Sequence, residues 1–356
     1  MSKHRFLLLD GMRGLAAIGI VIHHVGKTSY PALDGLYLLV DFFFVLSGFV
    51  LQPSLPKPGE ARRQQTWQFI TRRFIRFWPM VAAVLIFRAL LWLQWEMRDQ
   101  PAVAAGHSPS LNHLPVSLVG AALLLQIVIP SAAQWTGALW SLSAEWWSNL
   151  FAIPFATSRR PWSLYFGLAI GYGLLGLGWI LHQPAIFGAR ALGRAIVGFF
   201  IGLILRRWFD RENRQFSAIQ LITSLGAVGA FFIYQQTYRS GGLILAAPVF
   251  AYLILQVARI DQNKVPSRFL AASTFLGTMS FGIYAWHPNV YMLFASLPGS
   301  LVSSKQIADS AGGLLVASVI VTAVSILLTV LTIRYVERPL QSRWSSIMNR
   351  RLVQAS

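Results

Sequence analysis

The chain has 356 residues, 55% of them hydrophobic and 12% charged, with a formal net charge of +18 at pH 7. A soluble domain carries about a quarter charged residues, so this composition excludes a single water-soluble core. The absence of cysteine excludes disulfides, thiolate catalysis and Cys-ligated metals. In a soluble protein the basic excess would point to nucleic acid. Here Lys and Arg fall in short stretches between apolar runs, which is the positive-inside pattern of a membrane protein, and no nucleic-acid partner is expected.

Several apolar runs reach roughly 18 to 22 residues, enough to cross a hydrocarbon core about 30 Å thick. The alternating ten-residue segments of a β-barrel are absent. The expected fold is therefore an all-α polytopic membrane protein. Helices are predicted over residues 5–26, 35–52, 77–95, 139–157, 162–181, 190–207, 217–236, 241–258, 270–297 and 311–335. The first run is too long for a signal peptide and lacks a small-residue cleavage site, so it is expected to remain as helix one.

Residues 114–130 form one more apolar piece, broken by Pro115 and closed by Pro130. Charge argues against its being a crossing. Lys57, Arg62, Arg63, Arg72, Arg73 and Arg76 share one loop; Arg206, Arg207, Arg211 and Arg214 a second; Arg259, Lys264 and Arg268 a third; and Arg334, Arg338, Arg343, Arg350 and Arg351 the tail. All lie on one side, together with Arg159 and Arg160, only if 114–157 crosses once. Residues 114–130 are thus expected to be re-entrant or interfacial. That leaves about ten spans in one membrane domain, both termini cytoplasmic, in a plasma (inner) membrane, with no appended soluble domain.

Polar residues interrupt these spans. "LDGMRGLAAIGIVIHHVG" holds Asp10, Arg13, His23 and His24. Arg13 and His24 are eleven residues apart, three turns and about 20°, so they share a face roughly 16 Å apart along the axis. Asp10 lies on nearly the same stripe, and His23 points about 100° away. Arg13 snorkelling to headgroups is the competing reading. Against it stands the cost of a charge about eight residues into a span, which makes buried ionisable groups functional candidates.

"DFFFVLSGFVL" places Asp41 and Ser47 within helix two. "RRFIRFWP" puts Arg72, Arg73 and Arg76 before helix three, as a plain basic flank or as an anion clamp, since the arginine fork suits phosphate. "LWSLSAEWW" sets Glu145 among tryptophans, in an interfacial aromatic belt or at a site. "SFGIYAWHPNV" carries Tyr284 and His287 ahead of Pro288, and "YVERPL" closes the last span as a stop signal. No phosphate-binding Gly-rich loop, Gly-x-Ser-x-Gly elbow or metal-ligand cluster is present. No metal and no permanently bound cofactor is expected.

Together these motifs resemble the membrane-bound acyltransferase family 3, the O-acyltransferases of bacterial surface polysaccharides and related glycans. The resemblance rests on the Arg13–His24 spacing, "VDFFFVLSGFVL", "RRFIRFWP", "LWSLSAEWW", "FGIYAWHP" and "VERP", in this order over the whole chain. It implies a ten-helix bundle that transfers an acyl group, typically acetyl, from cytoplasmic acetyl-CoA as co-substrate to a hydroxyl of an extracytoplasmic or lipid-linked carbohydrate. Some members carry an esterase-like periplasmic domain that this sequence lacks, which favours direct transfer or a separate periplasmic partner enzyme.

On this reading Arg72, Arg73 and Arg76 clamp the CoA phosphates and Arg13 lines the donor passage. His24 acts as general base, the preferred role, or accepts the acyl group itself. Glu145 and His287 are secondary catalytic candidates, and Asp10, Asp41, Ser47 and Tyr284 are substrate-binding candidates. The rival reading is a secondary transporter of an anionic solute or glycan precursor, for which inverted repeats and paired broken helices are the expected signs; the sequence shows neither.

Overall fold

The computed structural model describes residues 5–59, 61–97, 114–212, 215–238, 242–262, 267–297 and 310–344. Among them every regular element is helical. α1 spans Leu7–Gly26, and a 3-10 segment over Pro31–Leu38 leads into α2, Leu39–Leu51. α3 runs from Arg62 to Met97. The short α4 (Leu114–Ala122) and α5 (Pro130–Thr136) precede α6, Trp140–Ala156. There follow α7 (Ser163–Ile180), α8 (Gly188–Phe209), α9 (Ala218–Tyr238), α10 (Gly242–Gln262), α11 (Ser267–Ala295) and α12 (Ala311–Thr332).

Among the described residues, eight helices are long and apolar enough to cross a membrane, by length and composition. The two expected spans outside that set are α6, at 17 residues, and α11, whose apolar run is broken by Ser280, Tyr284, His287 and Asn289. Both carry the polar groups of the site described below. The chain is an all-α polytopic membrane protein. Arg214, Lys264, Arg350 and Arg351, used in the charge argument, lie outside the described residues.

Residues 114–130 do not form a span. At nine residues, α4 rises only about 14 Å. The chain then turns at Leu124, which has a left-handed φ of 55°, and packs α5 back against α4. Non-helical backbone at membrane depth needs protein partners. The Leu124 carbonyl accepts from Ser143 Oγ at 2.5 Å and Trp147 Nε1 at 2.8 Å, and the Ile127 carbonyl accepts from Gly188 N at 2.9 Å.

α3 begins fifteen residues before the expected start at 77. The arginine-rich stretch marks where apolar surface begins, not where the helix does, since Arg and Gln are good helix formers. At 36 residues α3 is about 54 Å long, well beyond the hydrocarbon thickness.

In lipid, helices associate through close packing rather than through hydrophobic gain, so small residues sit where they cross. α1 packs most extensively on α11. A Cβ placed on Gly14 would lie 2.5 Å from Leu276 Cβ, and one on Gly277 2.6 Å from Asp10 Cβ. The same device joins α2 to α8, where Gly48 meets the Phe199 carbonyl and Gly202 meets the Val45 carbonyl.

The arginine-bearing helix ends gather at one face. Phe6 just before α1, Phe49 of α2 and Phe209 of α8 form an edge-to-face cluster there. The first turn of α1 has no side-chain cap of its own. Asp261, at the end of α10, supplies one: its carboxylate accepts from Leu8 N at 3.0 Å and Leu9 N at 3.3 Å.

Candidate active site

His24 and His287 come together across the α1–α11 interface. Their ring centroids are 4.9 Å apart, and His287 Nε2 lies 3.3 Å from His24 Nδ1. Carbonyl partners assign the ring protons. Pro288 has no N–H, so the Tyr284 carbonyl four residues earlier loses its usual helical donor. His287 Nδ1 takes that place, donating to Tyr284 O at 2.8 Å. His287 Nε2 is therefore an acceptor. His24 Nδ1 donates to Ile20 O at 2.9 Å and faces the bare His287 Nε2. The proton of His24 is held on Nδ1, and His24 Nε2 is left as a lone pair without a hydrogen-bond partner among the described residues. His23 turns away, its Nδ1 lying 3.0 Å from Leu33 O.

Arg13 lies three turns below His24 and also faces protein. Its Nε donates to Ser280 Oγ at 2.9 Å and its Nη2 to Gly277 O at 2.6 Å. Asp10 sits 3.5 Å from Nη2 and also accepts from Arg5 Nε at 2.9 Å. Arg13 thus stitches α1 to α11 and lies within electrostatic reach of Arg76 and Glu145. Between Arg13 and His24 the stripe is packed: Ala17 and Ile20 have no exposed surface.

A second polar group joins α2, α3 and α6. Glu145 Oε1 accepts from Arg73 Nη2 and from Ser47 Oγ, both at 2.6 Å. Arg73 is buried and stacks over Phe77 at 4.3 Å. The three arginines of the RRFIR stretch of α3 are thereby divided. Arg73 points inward, whereas Arg72 and Arg76 are exposed, and Arg76 acts electrostatically on Arg13, Arg73 and Glu337. A third group links α6 to α11: Tyr284 OH donates to Ala138 O at 2.8 Å and meets Ser141 Oγ at 2.6 Å.

Asp41, expected among the substrate-binding groups, is instead committed to Arg194 on α8. Arg194 Nη2 and Nε donate to its two oxygens at 2.6 and 3.2 Å, with both side chains almost fully buried. Arg194 Nη1 donates to Ala185 O at 2.8 Å, and the guanidinium lies over Trp140 at 5.2 Å. This is a closed structural pair. Among the described residues, no three His, Asp or Glu side chains gather as a metal-ligand set.

Residues 6–334 match the acyltransferase domain family. The chain belongs to that family. It is 25% identical over 321 residues to the peptidoglycan O-acetyltransferase OatA of Listeria monocytogenes, covering 80% of this chain and 49% of that protein. It is 23% identical to the putative peptidoglycan O-acetyltransferase YrhL of Bacillus subtilis, over 99% of this chain and 57% of that one. It is also 23% identical to the putative membrane-bound transacylase BcsY of Komagataeibacter xylinus, over 85% and 78%. The chain thus spans about half the length of the Listeria relative. No solved structure matches it.

This acyltransferase-family domain also contains polar groups that the sequence reading passed over. Arg194 is fully buried, and Arg88 on α3 is buried beside Asn289 and Met292. Asn149, one turn beyond Glu145 on α6, is 1% exposed, and among the described residues neither its Oδ1 nor its Nδ2 has a hydrogen-bond partner. Arg88 and Arg194 carried the available signal of an arginine inside an apolar run. Asn149 carried only its register, i+4 from Glu145.

Proposed function

We propose that this protein is an O-acyltransferase that moves an acetyl group from cytoplasmic acetyl-CoA to a hydroxyl of an extracytoplasmic or lipid-linked glycan. The observation that carries the reading is the state of His24. Its Nδ1 is tethered by Ile20 O and His287 Nε2, and its Nε2 lone pair is open.

In the proposed reaction, His24 Nε2 takes the proton of the acceptor hydroxyl as its oxygen attacks the thioester carbonyl. The tetrahedral adduct collapses, the C–S bond breaks, and the imidazolium returns the proton to the departing CoA thiolate. While His24 is charged, its Nδ1–H keeps two acceptors, which stabilises the imidazolium. Its partner is a neutral imidazole in the place a carboxylate takes in a triad.

Arg73 would meet the donor on its way in, releasing the Glu145 carboxylate to donate to oxygens of the donor. Arg13 sets the α1–α11 register on which the histidine pair depends. We place the protein in the plasma (inner) membrane with both termini cytoplasmic, because the arginine-bearing ends of α1, α3, α8 and α10 share one face. Membrane lipid surrounds the bundle, and a separate periplasmic partner enzyme would complete a relay if transfer is not direct.

The test is incubation of membranes containing the protein with radiolabelled acetyl-CoA. Label in carbohydrate that disappears with His24→Ala supports the reading. Glycan or solute uptake without covalent label would instead establish the transporter.

A further inference from the structure

α6 carries polar side chains at successive i+4 positions: Ser141, Glu145 and Asn149. The first is bonded to Tyr284, and the second to Arg73 and Ser47. Asn149 is 1% exposed, yet among the described residues its carbonyl oxygen and its amide nitrogen are both unpartnered. A buried polar group left unmade costs about 1–3 kcal/mol, and an asparagine amide here leaves a donor and an acceptor unmade at once. Packing needs neither, since the turn that follows is apolar, with Ala152 and Ile153 packed among Leu55, Phe69 and Phe199.

The position of Asn149 gives those groups a use. Two turns further along, the chain reaches a cleft lined by Pro58, Gly59, Arg62, Thr157 and Arg159, and a neighbouring cleft holds Arg62, Arg63 and Trp67. The order along α6 is thus a basic cleft, Asn149, the Arg73–Glu145 pair, and then Ser141 beside Tyr284 and the histidines. From Thr157 to Ser141 this covers about 24 Å. A donor with a polyanionic head in the cleft and a thioester near His24 lays its connecting arm along this line. The arm of CoA contains secondary amides, each presenting one N–H and one C=O. An asparagine side chain matches that pair, Nδ2 donating to the carbonyl and Oδ1 accepting from the N–H.

We infer that Asn149 is a specificity-determining residue that reads an amide of the pantetheine arm of the acyl donor. This inference rests on the acetyl-CoA reading proposed above.

The experiment uses the purified full-length protein and three probes: acetyl-CoA, S-acetylpantetheine, which keeps the amides without the nucleotide, and adenosine 3′,5′-bisphosphate, which keeps the phosphates without the arm. Binding is measured for the wild type, Asn149→Leu and Asn149→Ala, alongside thermal unfolding. The expected result is a roughly ten- to hundredfold weakening of the two amide-bearing probes in both variants. The bisphosphate should bind as before, and Asn149→Leu should be no less heat-stable than the wild type. Unchanged affinity for S-acetylpantetheine in both variants overturns the assignment while leaving the donor reading intact. Equal loss of all three probes in both variants overturns it too, by making Asn149 structural. A wild type that binds none of the three removes the donor reading and this inference with it.

Discussion

The Tyr284 carbonyl is held by the His287 ring at 2.8 Å because the next residue, Pro288, has no N–H to offer it. A proline that looks like a helix defect thus fixes which nitrogen of His287 is bare, and through it which nitrogen of His24 keeps its proton. Pro288→Ala restores a backbone donor that competes for the Tyr284 carbonyl. The expected outcome is a fold at least as stable and a kcat about tenfold lower with little change in KM, read from steady-state kinetics; positioning losses of this order are typical of outer-shell groups. A variant with wild-type kcat would separate the proline from the tautomer.

The histidines differ in expected effect. His24→Ala should lower the rate by about 10²–10⁴, the usual contribution of a general base. His287→Ala should cost less and act on kcat. His23→Ala should be tolerated, because the hydrogen bond of His23 goes to the turn at Leu33, away from His287. The measurement is acetyl transfer to carbohydrate at saturating donor. Equal loss in the His23 and His24 variants would remove the geometric argument.

Arg73 and Arg72 are adjacent in sequence and opposite in environment. Arg73→Ala should raise the KM for acetyl-CoA about tenfold or more, since charge-assisted hydrogen bonds to donor oxygens are strong. Arg72→Ala should stay within about twofold, as expected of an exposed, solvent-screened charge. Donor affinity measured on purified variants decides.

Asp41→Ala should damage the fold rather than acceptor recognition. Removing one partner of a buried ion pair costs about 3–5 kcal/mol, here by stranding Arg194 with no exposed side-chain surface. Replacing both residues, Asp41→Leu with Arg194→Met, should recover much of the loss. Thermal unfolding in detergent reads both variants. A stable Asp41→Ala protein with weakened glycan affinity would return Asp41 to the substrate site.

How far the sequence could be read varied with the range of the interaction. Spans are local, since roughly twenty apolar residues announce a helix wherever the rest of the chain goes, and most helix ends fall within a few residues of expectation. α3 is the exception, because charge reports the membrane boundary and helices ignore it. The shared face of Arg13 and His24 followed from helical period alone. That both face α11 could not be read, since Ser280 is 267 residues from Arg13. Asp41 looked like a site residue for the same reason. A carboxylate in an apolar run demands a partner, but nothing local identifies Arg194, 153 positions away. Asn149 was invisible because an asparagine in a helix is ordinary until its surroundings are known to be dry.

The union of α1 with α11 bears on how the protein is made. The ring that faces His24 stands 263 residues later in the chain. As the ribosome threads helices into the bilayer one after another, the first must wait, its Arg13 and His24 without their partners on α11, until synthesis is some four-fifths complete. No truncated translation product ending before residue 267 can contain the histidine pair, so on the proposed mechanism a prematurely terminated chain would be unable to consume donor.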